Sequence, residues 1–239
     1  HTAAGQTATP DIFPGRVYPV GEGPGQVVAA DLNNDGAADF IVVNEDSFDI
    51  SILISEGDGT LAPATTIQLD IFRSVAAADF DGDGDIDIAA PEPGNDRILL
   101  LLNNGDGTFS SPIDAVSVSV FDFAVGDFNG DSLPDIATIV SGVNGSAIFL
   151  NNGDNTFSVA QTLDLSGRGI ATADLDNDGD TDLLILTSGS IRTFHNDGTG
   201  SAFTLGYVND SFFDPADLTT GHFNGDTLTD VAIIQDITE

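Results

Sequence analysis

Residues 79–87 read Asp-Phe-Asp-Gly-Asp-Gly-Asp-Ile-Asp, and the same spacing of oxygen-bearing side chains returns at 31–39, 127–135, 174–182 and 222–230. Carboxylates at positions 1, 3, 5 and 9 of so short a loop repel one another unless a cation lies between them. Hard oxygen donors on a flexible loop suit Ca²⁺ better than a transition metal. Position 7 adds its backbone carbonyl. A glycine at position 6, such as Gly84, takes the positive φ that folds the early ligands back over the ion. The expected ligands are Asp31, Asn33, Asp35, Ala37 and Asp39; Asp79, Asp81, Asp83, Asp85 and Asp87; Asp127, Asn129, Asp131, Leu133 and Asp135; Asp174, Asp176, Asp178, Asp180 and Asp182; and Asn224, Asp226, Leu228 and Asp230. The count is four to five Ca²⁺ ions, because the last window has His222 at position 1 and Thr227 at position 6. A neutral imidazole is a poor Ca²⁺ ligand, and a network of Asx turns could hold that loop without metal.

A longer calcium loop would end on a bidentate Glu at position 12, but Val42, Ala90, Thr138, Ile185 and Ile233 stand there, inside runs that read as strand. The windows recur every 47 or 48 residues, the period of a propeller blade or solenoid turn. The order within each period is constant. A small-residue run (Val75-Ala76-Ala77-Ala78) enters the loop and an apolar run (Leu183-Leu184-Ile185-Leu186) leaves it. A third run follows, as in Ile98-Leu99-Leu100-Leu101-Leu102, and then a Gly/Asp turn such as Gly105-Asp106-Gly107-Thr108 leads to a more polar fourth. Four short β-branched strands broken by Gly and Asp describe an all-β propeller blade. The residue before each loop is Ala30, Ala78, Gly126, Ala173 or Gly221, as crowding near a propeller axis requires.

Fourth strands are expected to start at Leu61, Phe109, Phe157 and Phe203, and Phe13 keeps the same distance to Asp31 that Leu61 keeps to Asp79. The segment Ile12–Tyr18 is then a fourth strand whose first and second lie at Asp217 to Gln235, with residues 1–6 as a poor third. On this register one domain, 1–239, closes as a five-bladed ring, the N-terminal strand completing the last blade. The alternative is part of a seven-bladed ring.

Asp+Glu 39 against Lys+Arg 5 gives a formal charge of -34. Such a field repels polyanions, so nucleic acid is excluded as a partner. Eighteen of the acids lie in the five windows, which makes the acidity a property of the loops; five Ca²⁺ ions would bring the charge to -34 + 10 = -24. The absence of Cys removes disulfides, thiolate metal sites and thiol catalysis. Weak calcium loops fill where Ca²⁺ is near millimolar, which argues for a secreted or cell-surface protein. No apolar stretch is long enough for a membrane-spanning helix, and the start reads as a processed terminus.

The nine residues at 79–87, followed by Leu102-Asn103-Asn104-Gly105-Asp106-Gly107-Thr108-Phe109, resemble the VCBS and FG-GAP repeats of integrin-like β-propellers. The resemblance covers the whole chain. It implies an extracellular or cell-surface propeller, often seven-bladed, with calcium in the loops of the lower face and partners on the upper face. Such propellers occur in lectins, in adhesion proteins and in polysaccharide-cleaving enzymes.

Outside the loops, His195 reads as a surface turn residue, and no Gly-x-Ser-x-Gly, His-Glu-x-x-His or phosphate-loop motif occurs. The opposite rim carries Phe72, Arg73, Phe121 and Arg168, with both Arg six residues before their loops. They could hold an anionic or hydroxyl-rich ligand while Phe stacks on sugar faces. Alternatively, the Arg pair with nearby carboxylates and the Phe pack between blades. The function expected is a calcium-stabilised, lectin-like binding or adhesion module for carbohydrate or a surface protein. Its competitors are a polysaccharide lyase or hydrolase, the lyase being disfavoured by the absence of Lys, and a structural subunit of a surface layer or filament.

Overall fold

Each acidic loop is bracketed by a strand of small residues and a strand rich in aliphatics. In the computed structural model, which describes residues 16–70, 74–140, 145–211 and 215–235, those two strands pair antiparallel across every loop. The first sheet runs β1 (Pro24–Ala30), β2 (Asp39–Asn44), β3 (Asp49–Leu53), β4 (Thr65–Gln68), in that spatial order. The second runs β5 (Ala76–Ala78), β6 (Asp87–Glu92), β7 (Arg97–Leu101), β8 (Ile113–Val116). The third is β9 (Val120–Gly126), β10 (Asp135–Val140), β11 (Ser146–Asn151), β12 (Phe157–Leu163), and the fourth β13 (Gly169–Ala173), β14 (Asp182–Leu186), β15 (Ile191–His195), β16 (Thr204–Asn209). A two-stranded sheet, β17 (Pro215–Gly221) with β18 (Asp230–Gln235), ends the described residues. These sheets are the blades of a β-propeller.

The core lies between the sheets. Because side chains alternate along a strand, Leu99 and Leu101 of β7 face Ile41, Ile50 and Ile52 of the first blade, while Ile98 and Leu100 face Phe123, Ile136 and Phe149 of the third. A strand buried on both faces reads as a continuous apolar run, which is why residues 98–102 carry no polar alternation. Each fully buried Leu or Ile contributes about 1.5–3 kcal/mol. The last layer is thinner, with Leu218 and Ile233 of β17 and β18 resting on Leu184, Leu186 and Ile191.

Two boundaries differ from the sequence expectation. Leu61 and Phe109 form only isolated bridges to Ser55 and Asn103, and β4 and β8 begin later, at Thr65 and Ile113. Pro63 and Pro112 explain the delay, since proline has no N–H for the ladder. Blades 3 and 4 lack proline there, and β12 and β16 start at or next to the expected Phe157 and Phe203. Of the segment expected to close the ring, Ile12–Gly15 lies outside the described residues and residues 16–20 form no strand.

Candidate metal centre

Positions 4 and 6 of the first four loops both take the left-handed conformation: Asn34 and Gly36, Gly82 and Gly84, Gly130 and Ser132, Asn177 and Gly179. Ser132, at φ 73°, bears the cost that Gly avoids. In the fifth loop only Gly225 is left-handed, because the β-branched Thr227 at position 6 resists that region. The double reversal aims successive backbone N–H groups at the side chain that opens the loop. Asp79 accepts from Gly82, Asp83 and Gly84 at 2.8–3.1 Å, and Asp127 accepts from Gly130, Asp131 and Ser132 at 2.8–3.2 Å.

The carboxylates at position 9 are the most deeply placed: Asp39, Asp135 and Asp182 have no exposed surface, and Asp87 has 1%. Each has one oxygen accepting from the N–H of loop position 2 and the other from the end of the third strand. For Asp87 these donors are Phe80 and Asn103, at 2.9 and 2.8 Å; for Asp135 they are Phe128 and Asn151, at 2.8 Å each. One acidic side chain thereby ties three segments of its blade together.

Loops 2 and 4 concentrate negative charge. Asp79, Asp81 and Asp87 each place an oxygen within 4.8 Å of the others, as do Asp174, Asp176 and Asp178. Burial, reinforced by neighbouring carboxylates, pushes Asp87 and Asp135 up to about 6, against opposing backbone hydrogen bonds. The same causes raise Asp81, Asp176 and Asp180. A divalent cation would reverse this repulsion, so the donor set fits a hard, oxygen-liganded ion. Loops 1 and 3 are closer to self-sufficient: Asn33 and Asn129 donate to Asp35 and Asp131 at 3.0 and 2.9 Å. In loop 5 Asn224 donates to Asp230, and Asp226 accepts from Leu228 N, a contact that the other four loops share.

Sequence reasoning treated the Asn-Asn-Gly-Asp-Gly-Thr stretch as a turn and missed its second role. Asn103 Nδ2 donates to Leu32 O at 2.8 Å, Asn151 to Phe80 O at 2.8 Å and Asn196 to Phe128 O at 2.7 Å. Each bond joins one blade's turn to the preceding blade's acidic loop. The signal was there, since Asn recurs at one place after each third strand, with Ser55 in the first blade.

His195 also departs from the sequence reading. It ends β15 with Nδ1 fully enclosed, 2.9 Å from Asp176 Oδ2 and 3.5 Å from Asp182 Oδ2, so it faces the loop instead of solvent. On the opposite rim, Phe72 and Arg73 lie outside the described residues. Arg168 is exposed, and Phe121, the second residue of β9, is 38% exposed. Asp122 accepts from Ile170 N at 3.1 Å, which brings the Phe121 and Arg168 ends of adjacent blades together. A cation that sequence reasoning passed over, Arg97, ion-pairs with Glu92 and, at 2.7 Å, with Asp114 in a groove also lined by Gln68 and Asp70.

Three overlapping stretches, 31–90, 79–138 and 127–185, match the model of the FG-GAP-like repeat. No curated protein matches the chain in sequence. Among solved structures, an Agrocybe aegerita lectin described as recognising non-reducing terminal N-acetylglucosamine is 23% identical, with a TM-score of 0.58 over 87% of this chain and 56% of its own. The V. cholerae biofilm matrix protein Bap1 is 20% identical (TM-score 0.52; 90% and 35% covered), and the rhamnogalacturonan lyase YesW is 17% identical (0.54; 90% and 47%). The chain thus spans about half the length of such structures or less, and the likeness is one of fold.

Proposed function

The chain belongs to the FG-GAP-like repeat family, and from that premise we propose that it is an extracellular, Ca²⁺-stabilised binding module whose ligand is carbohydrate. The observation that carries the reading is the convergence of carboxylates in loops 2 and 4, which a divalent cation would relieve. Asp79, Asp81, Asp83 and Asp87, with the carbonyl of Asp85, hold one ion. Asp174, Asp176, Asp178 and Asp182, with the carbonyl of Asp180, hold another. Loops 1 and 3 hold Ca²⁺ more weakly through Asn33 and Asn129. Loops of this kind fill in the millimolar Ca²⁺ outside cells, which supports a secreted setting. The carbohydrate reading draws on the lectin-like fold and on a rim where Arg168 and Phe121 lie on adjacent blades. A surface protein is the alternative ligand.

The ring closes, on this reading, with the N-terminal segment as the outer strand of the last blade. Tyr18 supports it: its hydroxyl accepts from Leu61 N at 3.1 Å, just as Gln161 Oε1 of blade 3 accepts from Phe203 N of blade 4 at 2.7 Å. Both acceptors stand thirteen residues before their loops, the match expected if Tyr18 belongs to an outer strand. Deleting residues 1–20 should lower the melting temperature of the whole ring, and an unchanged melt refutes closure.

Binding to a glycan array with Ca²⁺ and with EDTA, followed by a reducing-end assay on the hits, tests the module. Ca²⁺-dependent retention without new reducing ends is expected. Turnover would replace the binding reading with the polysaccharide-cleaving one.

A further inference from the structure

We propose that the fourth blade holds a nitrogen-liganded site for a borderline transition-metal ion of the Zn²⁺ class, built from His195 Nδ1, Asp176 and Asp182. The three groups place one ligand atom each within 4.8 Å of the others. In the other blades the residue before the Ser or Asn that binds the closing carboxylate is aliphatic, Ile54, Leu102 or Leu150, whereas here it is His195. The substitution turns a packing position into a ligand.

The geometry argues for a shared cation over a hydrogen bond. At 2.9 Å from Asp176 Oδ2 the separation suits a bond, yet Nδ1 is enclosed and makes no hydrogen bond. An imidazole lone pair and a carboxylate oxygen lying side by side without a hydrogen bond repel each other, and a cation bound by both relieves that repulsion. Two ligands of one Zn²⁺, each about 2.0–2.2 Å from it, lie roughly 3–3.5 Å apart. Of the two separations from Nδ1, 3.5 Å lies at the upper end of that range and 2.9 Å just below it. Asp182 Oδ2 also accepts from Leu175 N at 2.9 Å, which fixes its orientation and leaves its second lone pair for the metal. The ring fits because residue 206 is glycine: a Cβ there would lie 2.1 Å from imidazole Cδ2 and Nε2.

A neutral imidazole is a good ligand for Zn²⁺ and its neighbours and a poor one for Ca²⁺. The site therefore adds selectivity that the all-oxygen loops lack. The proposal rests on and deepens the metal-loop reading of loop 4: Zn²⁺ takes Asp176 and Asp182 in place of Ca²⁺, and because it is tested with a different ion the two readings can fail separately.

Metal-stripped protein is loaded with millimolar Ca²⁺ and then titrated with Zn²⁺ by calorimetry. The wild type should take up one Zn²⁺ equivalent that Ca²⁺ does not displace. His195→Leu, which restores the aliphatic type found in the other blades, should lose that equivalent and keep its Ca²⁺ uptake. Equal Zn²⁺ uptake by both proteins, or none by either, overturns the proposal. If the variant does not fold, the wild type still decides: Zn²⁺, and not Ca²⁺, should protect His195 from diethylpyrocarbonate, read by peptide mass. Equal modification with and without Zn²⁺ overturns the proposal as well.

Discussion

Phe128 and Phe223 stand at the same position of two acidic loops, and their surroundings are opposite. Phe128 is 1% exposed, its ring meets Phe203 of the next blade edge-on at 5.5 Å, and its carbonyl accepts from Asn196. Phe223 is 61% exposed. What buries the residue is thus the following blade, whose Asn and Phe arrive together after its third strand. Phe80 repeats the arrangement with Asn151 and Phe157. A blade here is therefore stabilised by its successor, as in a repeat array where interfaces between neighbours carry much of the energy.

The largest expected effect sharpens this contrast by removing metal. Each site that binds only the folded state adds about 2.7 kcal/mol at a hundredfold excess over Kd. Chelation should therefore lower the melting temperature markedly. Hydrogen exchange should rise at 79–87 and 174–182 and change least at 222–230. A uniform rise across all five loops would mean that carboxylate number does not rank them.

Next in size is Phe128→Ala, which empties a fully enclosed site and should cost about 3–5 kcal/mol in urea unfolding. Phe223→Ala should stay within about 0.5 kcal/mol. Equal costs would show that the last loop is covered as the third one is.

A smaller loss is expected for Asn151→Ala. It strips the enclosed carbonyls of Phe80 and Pro134 of their donor, at 2.8 and 3.2 Å, and should cost about 1–3 kcal/mol. Asn224→Ala, at the exposed loop, serves as the control and should be nearly silent.

The smallest effect concerns pH. In metal-free protein Asp87 and Asp135 hold their protons up to about 6, above the ordinary 3.8. The folded state thus binds the proton more tightly than the unfolded chain. That stability is complete below about pH 4 and is lost as pH rises through about 6, at no more than about 1.4 kcal/mol per pH unit and carboxyl. Ca²⁺-loaded protein should show the reverse slope, because acid displaces the ion. Melting curves from pH 4.5 to 7 with and without EDTA would reveal the crossing; parallel slopes would refute it.

The strand order and the loop boundaries were legible because both are local. Alternation, small residues before each loop and the Asp spacing lie within a dozen residues of one another. The interblade bonds were not legible, since Asn103 and Leu32 are 71 residues apart and an Asn in a Gly/Asp turn already has an explanation as a turn former. The later starts of β4 and β8 could have been read from Pro63 and Pro112. The left-handed residue at position 4 could also have been suspected, from Asn34, Gly82, Gly130, Asn177 and Gly225 in that column. His195 was misplaced because its partners come from the loop thirteen residues or more upstream, and nothing local announces them.

The chain has no Trp and two Tyr, so its intrinsic fluorescence comes from Tyr18 and Tyr207 alone. Tyr207 is 62% exposed on β16 and should behave much like free tyrosine. Tyr18 is half-buried, and its hydroxyl rests on Leu61 at the first blade's flank. In Tyr207→Phe protein the remaining emission reports one place in the molecule, the join between the N-terminal segment and the first blade. Opening of that join can then be followed optically, without a label, while the other blades stay folded.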